Sequence, residues 1–261
     1  MDLVWWRSPT AFSLEFSLSL SSLILSCFYV VFALLLLWRY RDNFTSLDKR
    51  KWLYLGIATV LLIPAHALLV LVYRASPVSA APATILSSTP PVPLLGMLLV
   101  AIVAAWLGPA PGIALGLFSG VISAWFHPMA FNDVFPFVAW GLVIGILLNQ
   151  PFKGIIFDLL RLPLVTLPIA SAALLGFLTL NRLVEAVIAS QPIGLMAIDY
   201  ALSLLRTEFP LWLIASIVQG VLLQGLFLSP RLRPPQRSDV VSAYNRSLRA
   251  RFMIMIIPLV L

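Results

Sequence analysis

The stretch Leu94–Pro128, LLGMLLVAIVAAWLGPAPGIALGLFSGVISAWFHP, decides the fold. It contains no Asp, Glu, Lys or Arg, and GPAPG (108–112) divides it into two apolar segments. Because proline and glycine together interrupt helices, the pattern predicts a tight turn between two apolar helices, at about 92–107 and 112–127.

The composition of the whole chain agrees with a membrane location. The chain is 61% hydrophobic and 10% charged, with a mean hydropathy of +1.01, whereas soluble domains carry roughly 25% charged residues. The net charge of +7 is typical of cytoplasmic loops that face anionic headgroups. No basic stretch is interleaved with aromatic residues, so the expected partner is the lipid bilayer and not nucleic acid.

Apolar runs near 20 residues predict an all-α fold, a polytopic membrane helix bundle with seven complete transmembrane helices and the start of an eighth. The predicted spans are about 17–38, 52–73, 92–107, 112–127, 134–150, 162–180 and 208–228. The eighth starts at 252, and 252–261 covers only half a crossing, so we expect a polypeptide that continues past Leu261.

Basic residues predict the orientation. The loops 39–51, 151–161 and 229–251 hold 13 of the 17 Lys and Arg residues. The positive-inside rule places these loops in the cytoplasm and the N-terminus outside, in a multi-pass protein of the inner (plasma) membrane.

The predicted spans and the segments between them divide the chain into regions. Segment 181–207, which QPIG (191–194) interrupts, is expected to hold a short external or re-entrant helix. The predicted domains are an N-terminal transmembrane hairpin (1–80), a five-helix glycine-rich membrane bundle (92–228), a basic cytoplasmic linker (229–251) and the start of a further transmembrane helix (252–261).

Glycines recur four apart in two consecutive helices. Such faces let helices approach closely in lipid, and a second interpretation is that they leave room for a ligand between helices. The predicted packing glycines are Gly112, Gly116, Gly120, Gly141 and Gly145.

Polar residues within or beside the spans are the candidates for ligand contact. His66 either makes one hydrogen bond to a neighbouring helix or contacts a ligand. Arg182 and Glu185, three apart, can also pair with each other, and Gln219 is expected to bond between helices. The candidate ligand-binding residues are His66, inside its span, and a group expected at the external rim of the bundle: Trp125, His127, Asn132, Asp133, Arg182 and Glu185. Asp199, Arg206 and Glu208 are expected at the same rim.

Catalytic motifs are not found in the sequence. There is no H-E-x-x-H and no phosphate-binding Gly-Lys-Ser/Thr loop. Ser119 in GLFSG has no histidine at a spacing that marks it as its base. His66 and His127 are expected at different depths, which argues against haem. We therefore expect no enzyme activity, no metal and no cofactor in residues 1–261.

The Gly-Pro turn between an apolar and a glycine-stepped helix, followed by a second Gly-x-x-x-Gly helix, resembles two families over about 92–150. One is the S component of energy-coupling-factor vitamin transporters. The other comprises multi-helix sensor modules of bacterial signalling proteins, such as LytS-type receptors and membrane-associated sensor domains. SDVVSAYNRSLRARFMIMIIPLVL (238–261) is similar to the start of a sensor unit, which favours the second family.

The sensor resemblance implies a function. It implies the membrane-embedded sensory region of a bacterial signal-transduction receptor, a homodimer that signals to a downstream kinase, cyclase or phosphatase domain. The signal is either a small or membrane-partitioned ligand or the state of the membrane. The alternatives are an S-component-like transporter subunit and a passive membrane scaffold in which the glycines only pack.

Overall fold

The structure is a computed structural model that describes residues 3–4, 14–15, 20–67, 69–72, 92–126, 129–189, 194–229, 234 and 241–242. Helices dominate these residues. They are α1 (Leu20–Arg39), α2 (Arg41–Thr45), α3 (Lys49–His66), α4 (Leu94–Leu107), α5 (Pro109–Phe126), α6 (Phe135–Asn149), α7 (Ile155–Leu160), α8 (Pro163–Ala189) and α9 (Gly194–Leu228).

Short extended segments connect the helix ends. A 3-10 turn, Phe131–Val134, leads into α6. Leu69–Val72 pairs antiparallel with two strands, Leu3–Val4 and Val92–Pro93. Two further pairs are parallel: Leu14–Glu15 with Met129–Ala130, and Phe152–Lys153 with Val241–Ser242.

The prediction of a helical chain with several membrane-length apolar helices is confirmed. Among the described residues, five helices are long and apolar enough to cross a membrane: α1, α5, α6 with its preceding turn, α8 and α9. The count of seven complete spans is not confirmed. Helix α4 has only 14 residues, and α3 begins with three cations, Lys49, Arg50 and Lys51.

Two predicted boundaries differ from the structure for local reasons. Helix α3 ends at His66 instead of continuing to 73, because Leu69–Val72 is extended and pairs with two other strands. Helix α5 begins at Pro109, earlier than predicted, since proline is well suited to the first helical position, where its missing N–H would have no partner. Gly108 ends α4 with φ +101°, a conformation that glycine adopts without strain.

The short separate helix expected in 181–207 is absent from the described residues. Helix α8 continues to Ala189, and α9 runs unbroken from Gly194 to Leu228. The segment LMAIDYALSLLR (195–206) is rich in helix formers, so the helix propagates through it into the apolar part.

Helix α4 lies in the centre of the bundle. It contacts α3, α5, α6 and α9, and Val100, Ala101 and Ala104 are fully buried in the largest core cluster. Leu62 of the predicted N-terminal hairpin belongs to the same core. Helix α1 lies at the periphery, since 17% of its membrane-length window is buried against 67% for α5.

Two of the loops that are rich in Lys and Arg lie at the same end of the bundle. The Asn43 side chain of α2 fits against Gly108, in the turn between α4 and α5. Asn149, at the end of α6, donates from Nδ2 to the Ala104 carbonyl at 2.7 Å. We call this end, with 39–51, Gly108 and 150–162, the basic end. The predicted linker 229–251 and the eighth helix, 252–261, lie outside the described residues except for 229, 234 and 241–242.

Candidate functional site

A buried ion pair joins the two longest helices at the end of the bundle opposite the basic end. Arg182 Nη1 of α8 donates to Glu208 Oε1 of α9 at 2.7 Å, and the two residues are only 7% and 5% exposed. Hydrogen bonds between ionised groups are about twice as strong as neutral ones. This ion pair links two helices. The predicted pairing of Arg182 with Glu185 stays a prediction, because the Glu185 side chain lies outside the described residues.

Asn181, the neighbour of Arg182, connects three parts of the chain. Its Oδ1 accepts a hydrogen bond from the Tyr29 hydroxyl of α1. Its Nδ2 lies 3.0 Å from the Asn132 carbonyl oxygen and 3.3 Å from Asp133 Oδ1. One amide therefore fixes α1, α8 and the 3-10 turn relative to each other.

Asn132 extends these contacts to the start of α1. Its Nδ2 donates to Ser22 Oγ at 3.1 Å. The Ser26 hydroxyl lies 2.7 Å from Asn132 Oδ1 and 2.7 Å from the Ser22 carbonyl oxygen. Because a hydroxyl has one proton, the two acceptors compete for it. We call the connected residues the polar network. Its hydrogen-bonded members are Ser22, Ser26, Tyr29, Asn132, Asp133 and Asn181. We include the pair Arg182–Glu208, which adjoins Asn181 in sequence and interacts electrostatically with Asp133.

The network contains two carboxylates and one guanidinium. The charge of Asp133 interacts with the charge of Arg182 and with that of Glu208. Arg182 Nε is buried and has no partner among the described residues. An unpaired buried donor costs about 1–3 kcal/mol, so an acceptor that reached this nitrogen would be bound favourably.

A groove of about 350 Å³ runs along α1 beside the network. The hydroxyl-bearing residues Ser22 and Ser26 belong to both, so the groove gives access to the network from the exposed side of α1. Its lining residues are Ser22, Leu23, Ser26, Cys27, Val30, Val31 and Phe131.

His66 is part of a separate site in the core. Its Nδ1 lies 2.8 Å from the Leu62 carbonyl oxygen, which can only accept, so Nδ1 carries the proton. Nε2 then accepts from the Ser119 hydroxyl at 3.0 Å. The ring stacks on Phe126, with centroids 6.5 Å apart. Both ring nitrogens therefore have hydrogen-bond partners within the protein. Of the two alternatives for His66, a hydrogen bond to a neighbouring helix or contact with a ligand, these contacts correspond to the first.

The same contact corrects the sequence interpretation of Ser119. A histidine does lie within hydrogen-bond distance of the serine, although it is 53 positions away in sequence. The pair is closed off in the core, with His66 0% and Ser119 1% exposed. A backbone carbonyl holds Nδ1, in place of the carboxylate that assists a general base. The expectation that the chain is not an enzyme stays a prediction.

The structure brings together some of the predicted ligand-binding residues and separates others. Asn132, Asp133 and Arg182 share the polar network. Trp125 is half-buried against the large core cluster, and His127 lies outside the described residues. The other hydrogen-bonded members of the network were not predicted from the sequence; they are Ser22, Ser26, Tyr29 and Asn181. A signal did exist, since Ser22, Ser26 and Tyr29 are four and three positions apart and so share one face of an apolar helix.

The five packing glycines lie where α5 meets α6. A Cβ at Gly112 would lie 2.9 Å from the Gly141 carbonyl oxygen, and one at Gly120 would lie 2.8 Å from that of Val134. A Cβ at Gly116 would collide with the Phe137 carbonyl, one at Gly141 with the Gly112 backbone and one at Gly145 with Pro109. This surface therefore has no room for a ligand.

Helix α9 carries further buried polar groups. Gln219 Nε2 donates to the Leu94 carbonyl at 3.0 Å, which joins α9 to the start of α4. Gln219 Oε1 and Gln224 Oε1 have no partner among the described residues. In the described part of the chain, no three His, Cys, Asp or Glu side chains are grouped to hold a metal ion.

No protein-family model, no curated protein and no solved structure matches this chain. The function is therefore inferred from the contacts of the polar network.

Proposed function

We propose that this chain is the membrane-embedded sensory region of a bacterial signal-transduction receptor, with the polar network as its input site. The observation that carries the proposal is the buried Arg182–Glu208 pair, within a network that connects α1 to α8 and α9. A downstream output domain would receive the signal.

Stability alone is a weak reason for such a pair. Replacing a buried ion pair by apolar residues is often neutral or stabilising, and ionisable groups inside membrane segments are functional candidates by default. Among the described residues, Arg182 Nε has no partner, and a second carboxyl group, that of Asp133, is close enough to interact with Arg182. A change of partner at Arg182 would give the two states that a sensor needs, which differ in how α8 and α9 are held.

The proposed stimulus is a membrane-partitioned small molecule with a hydrogen-bonding group. In the groove along α1 it would compete with Asn132 for the hydroxyls of Ser22 and Ser26. Since Asn132 is bonded to Asn181, and Asn181 adjoins Arg182, a change at α1 has a short route to the ion pair.

The proposed topology has seven crossings in the inner membrane, with the N-terminus and the polar network outside and the basic end in the cytoplasm. Helices α3 and α4 would complete their crossings with the adjoining segments. The grouping of loops 39–51 and 150–162 at one end supports this arrangement. The functional unit would be a homodimer.

The first experiment reads the gene beyond codon 261. The proposed function predicts a cytoplasmic kinase, cyclase or phosphatase domain in the full-length protein. A stop codon directly after Leu261 in an intact gene would contradict the receptor.

The second experiment tests the input site in lipid nanodiscs. A panel of amphipathic small molecules is screened for changes in the melting temperature of the wild-type protein and of the Ser22→Ala/Ser26→Ala variant. The control variant, Thr45→Ala/Ser46→Ala, removes two hydroxyls at the basic end. We expect at least one compound to stabilise the wild type and the control but not the Ser22→Ala/Ser26→Ala variant.

Two results would count against sensing. If no compound shifts the melting temperature of the wild-type protein, the scaffold alternative is favoured. If cells that express only residues 1–235 accumulate a labelled vitamin, the bundle is a transport subunit.

A further inference from the structure

The hairpin between α1 and α3 at the basic end concentrates positive charge. Residues 39–51 contain five cations and two carboxylates, a net charge of +3. Lys49, Arg50 and Lys51 are consecutive and all exposed. They occupy the first turn of α3, where the helix dipole is also positive, so each destabilises the other two unless an external anion is near.

The two carboxylates of the hairpin do not neutralise these three cations. Asp48 caps α3, accepting from the Lys49 backbone N–H at 2.7 Å. Asp42 lies 3.7 Å from Arg41 Nε, on the other side of the hairpin. Within the part of the chain that the structure describes, no salt bridge includes Lys49, Arg50 or Lys51.

Aromatic side chains accompany the cations. Trp38 and Trp52 are 65% and 49% exposed, and tryptophan is enriched at the level of lipid headgroups. The Arg41 guanidinium lies 5.8 Å from the centre of the Trp38 ring, and Phe44 stacks on Trp52. These contacts place the cations next to surfaces suited to the boundary between headgroups and acyl chains.

A second element at the same end exposes apolar side chains. In α7, Ile155 and Ile156 are 83% and 70% exposed, as expected of a helix that rests in the membrane interface. Arg161 is not available for lipid there, because it bonds to Asp158 and to the carbonyl oxygens of Gln150 and Phe152. Among the side chains that the structure describes at this end, the cations available to lipid therefore belong to the hairpin.

We propose that the hairpin 39–51 binds the headgroups of anionic phospholipids, with Lys49, Arg50 and Lys51 as the phosphate contacts and Trp38 and Trp52 against the glycerol and upper acyl chains. The occupant is a membrane lipid and not a soluble anion, because the exposed tryptophans need an apolar partner beside the phosphate. This binding does not depend on the proposed sensory function.

The test is native mass spectrometry of the detergent-purified protein with added dioleoylphosphatidylglycerol or dioleoylphosphatidylcholine. We expect the anionic lipid to bind about tenfold more tightly or better, as anticipated when several cations contact it. The variant Lys49→Gln/Arg50→Gln/Lys51→Gln should lose most of this preference. Added salt should weaken the binding of the anionic lipid and leave that of phosphatidylcholine unchanged.

The matched control is Arg231→Gln/Arg233→Gln/Arg237→Gln, which removes the same charge from the predicted cytoplasmic linker. It should retain the preference. An equal loss in both variants would show that net charge alone attracts the lipid and would overturn the proposal. Equal binding of the two lipids by the wild type would do the same, and so would displacement of the lipid by millimolar inorganic phosphate or by an acidic peptide.

Folding is checked by melting each variant in phosphatidylcholine nanodiscs. If the triple hairpin variant melts below the wild type, Lys49→Gln and Arg50→Gln are measured singly, and each should lower the preference by a few-fold. Single variants that fold and keep the full preference would also overturn the proposal.

Discussion

At the residue scale, the ion pair Arg182–Glu208 is the most unusual feature of the described chain. Both groups are desolvated, and their attraction has to offset that penalty. Asp133 adds a second carboxyl group nearby, and Arg182 Nε has no partner among the described residues. Each residue therefore depends on its partner, whereas the pair as a whole contributes little net stability.

This dependence predicts a non-additive result. Arg182→Leu should lower the free energy of unfolding by about 3–5 kcal/mol, because Glu208 is left buried and unpaired. Adding Glu208→Leu to the same protein should restore most of the loss. Unfolding in detergent with a denaturant measures both changes.

Arg206→Leu is the control for this pair, since Arg206 is an exposed arginine of α9, the helix that carries Glu208. It should change stability by no more than about 0.5 kcal/mol. A double variant no more stable than Arg182→Leu alone would contradict the prediction and would show that the pair is stabilising in its own right.

At the element scale, the contact between α5 and α6 depends on glycine at each close approach. Backbone carbonyl oxygens of α6 and of the 3-10 turn before it occupy the space that side chains on Gly112, Gly116 and Gly120 would need. Because backbone cannot move aside as a flexible side chain does, the two helices would have to separate to accommodate a methyl group. By contrast, a Cβ at Gly176 of α8 would meet no atom within 4 Å.

Gly116→Ala and Gly176→Ala form a matched pair. We expect Gly116→Ala to destabilise the protein by about 1–3 kcal/mol, the usual range for overpacking. Gly176→Ala should be neutral or stabilising by up to about 1 kcal/mol, because alanine is the better helix former. Melting temperatures in the same detergent compare the two, and equal losses would argue against a close contact between α5 and α6.

At the scale of the whole molecule, the sequence predicts the helices well and their contacts poorly. Apolar runs locate α1, α5, α6, α8 and α9, since membrane length leaves few alternatives. The extension of α8 and α9 on the two sides of QPIG was not predicted, because segment 181–207 was expected to form a short helix of its own. The pair Arg182–Glu208 spans 26 positions and His66–Ser119 spans 53. No helical periodicity links residues so far apart, so only the packing of the bundle reveals them.

The arrangement of the two ends predicts the labelling of single cysteines. In a Cys27→Ser background, Ser46→Cys and Ile155→Cys should react with an impermeant maleimide only in inverted vesicles. Both lie at the basic end, which the proposed topology places in the cytoplasm. Ala130→Cys, beside the polar network, should react in intact cells. If Ser46→Cys and Ile155→Cys were labelled from opposite sides of the membrane, the arrangement of the bundle would be wrong.

The imidazole of His66 occupies the space above Gly96, where a methyl carbon would lie 2.6 Å from Nδ1 and 2.9 Å from Nε2. The two positions therefore share one fixed volume, and enlarging either requires shrinking the other. His66→Ala alone should leave a void that costs about 2–5 kcal/mol, and Gly96→Leu alone should force α3 away from α4. Combined in one protein, the two substitutions should compensate each other, as second-site suppressors do. A selection for folded protein that starts from either single variant should therefore yield the substitution at the other position.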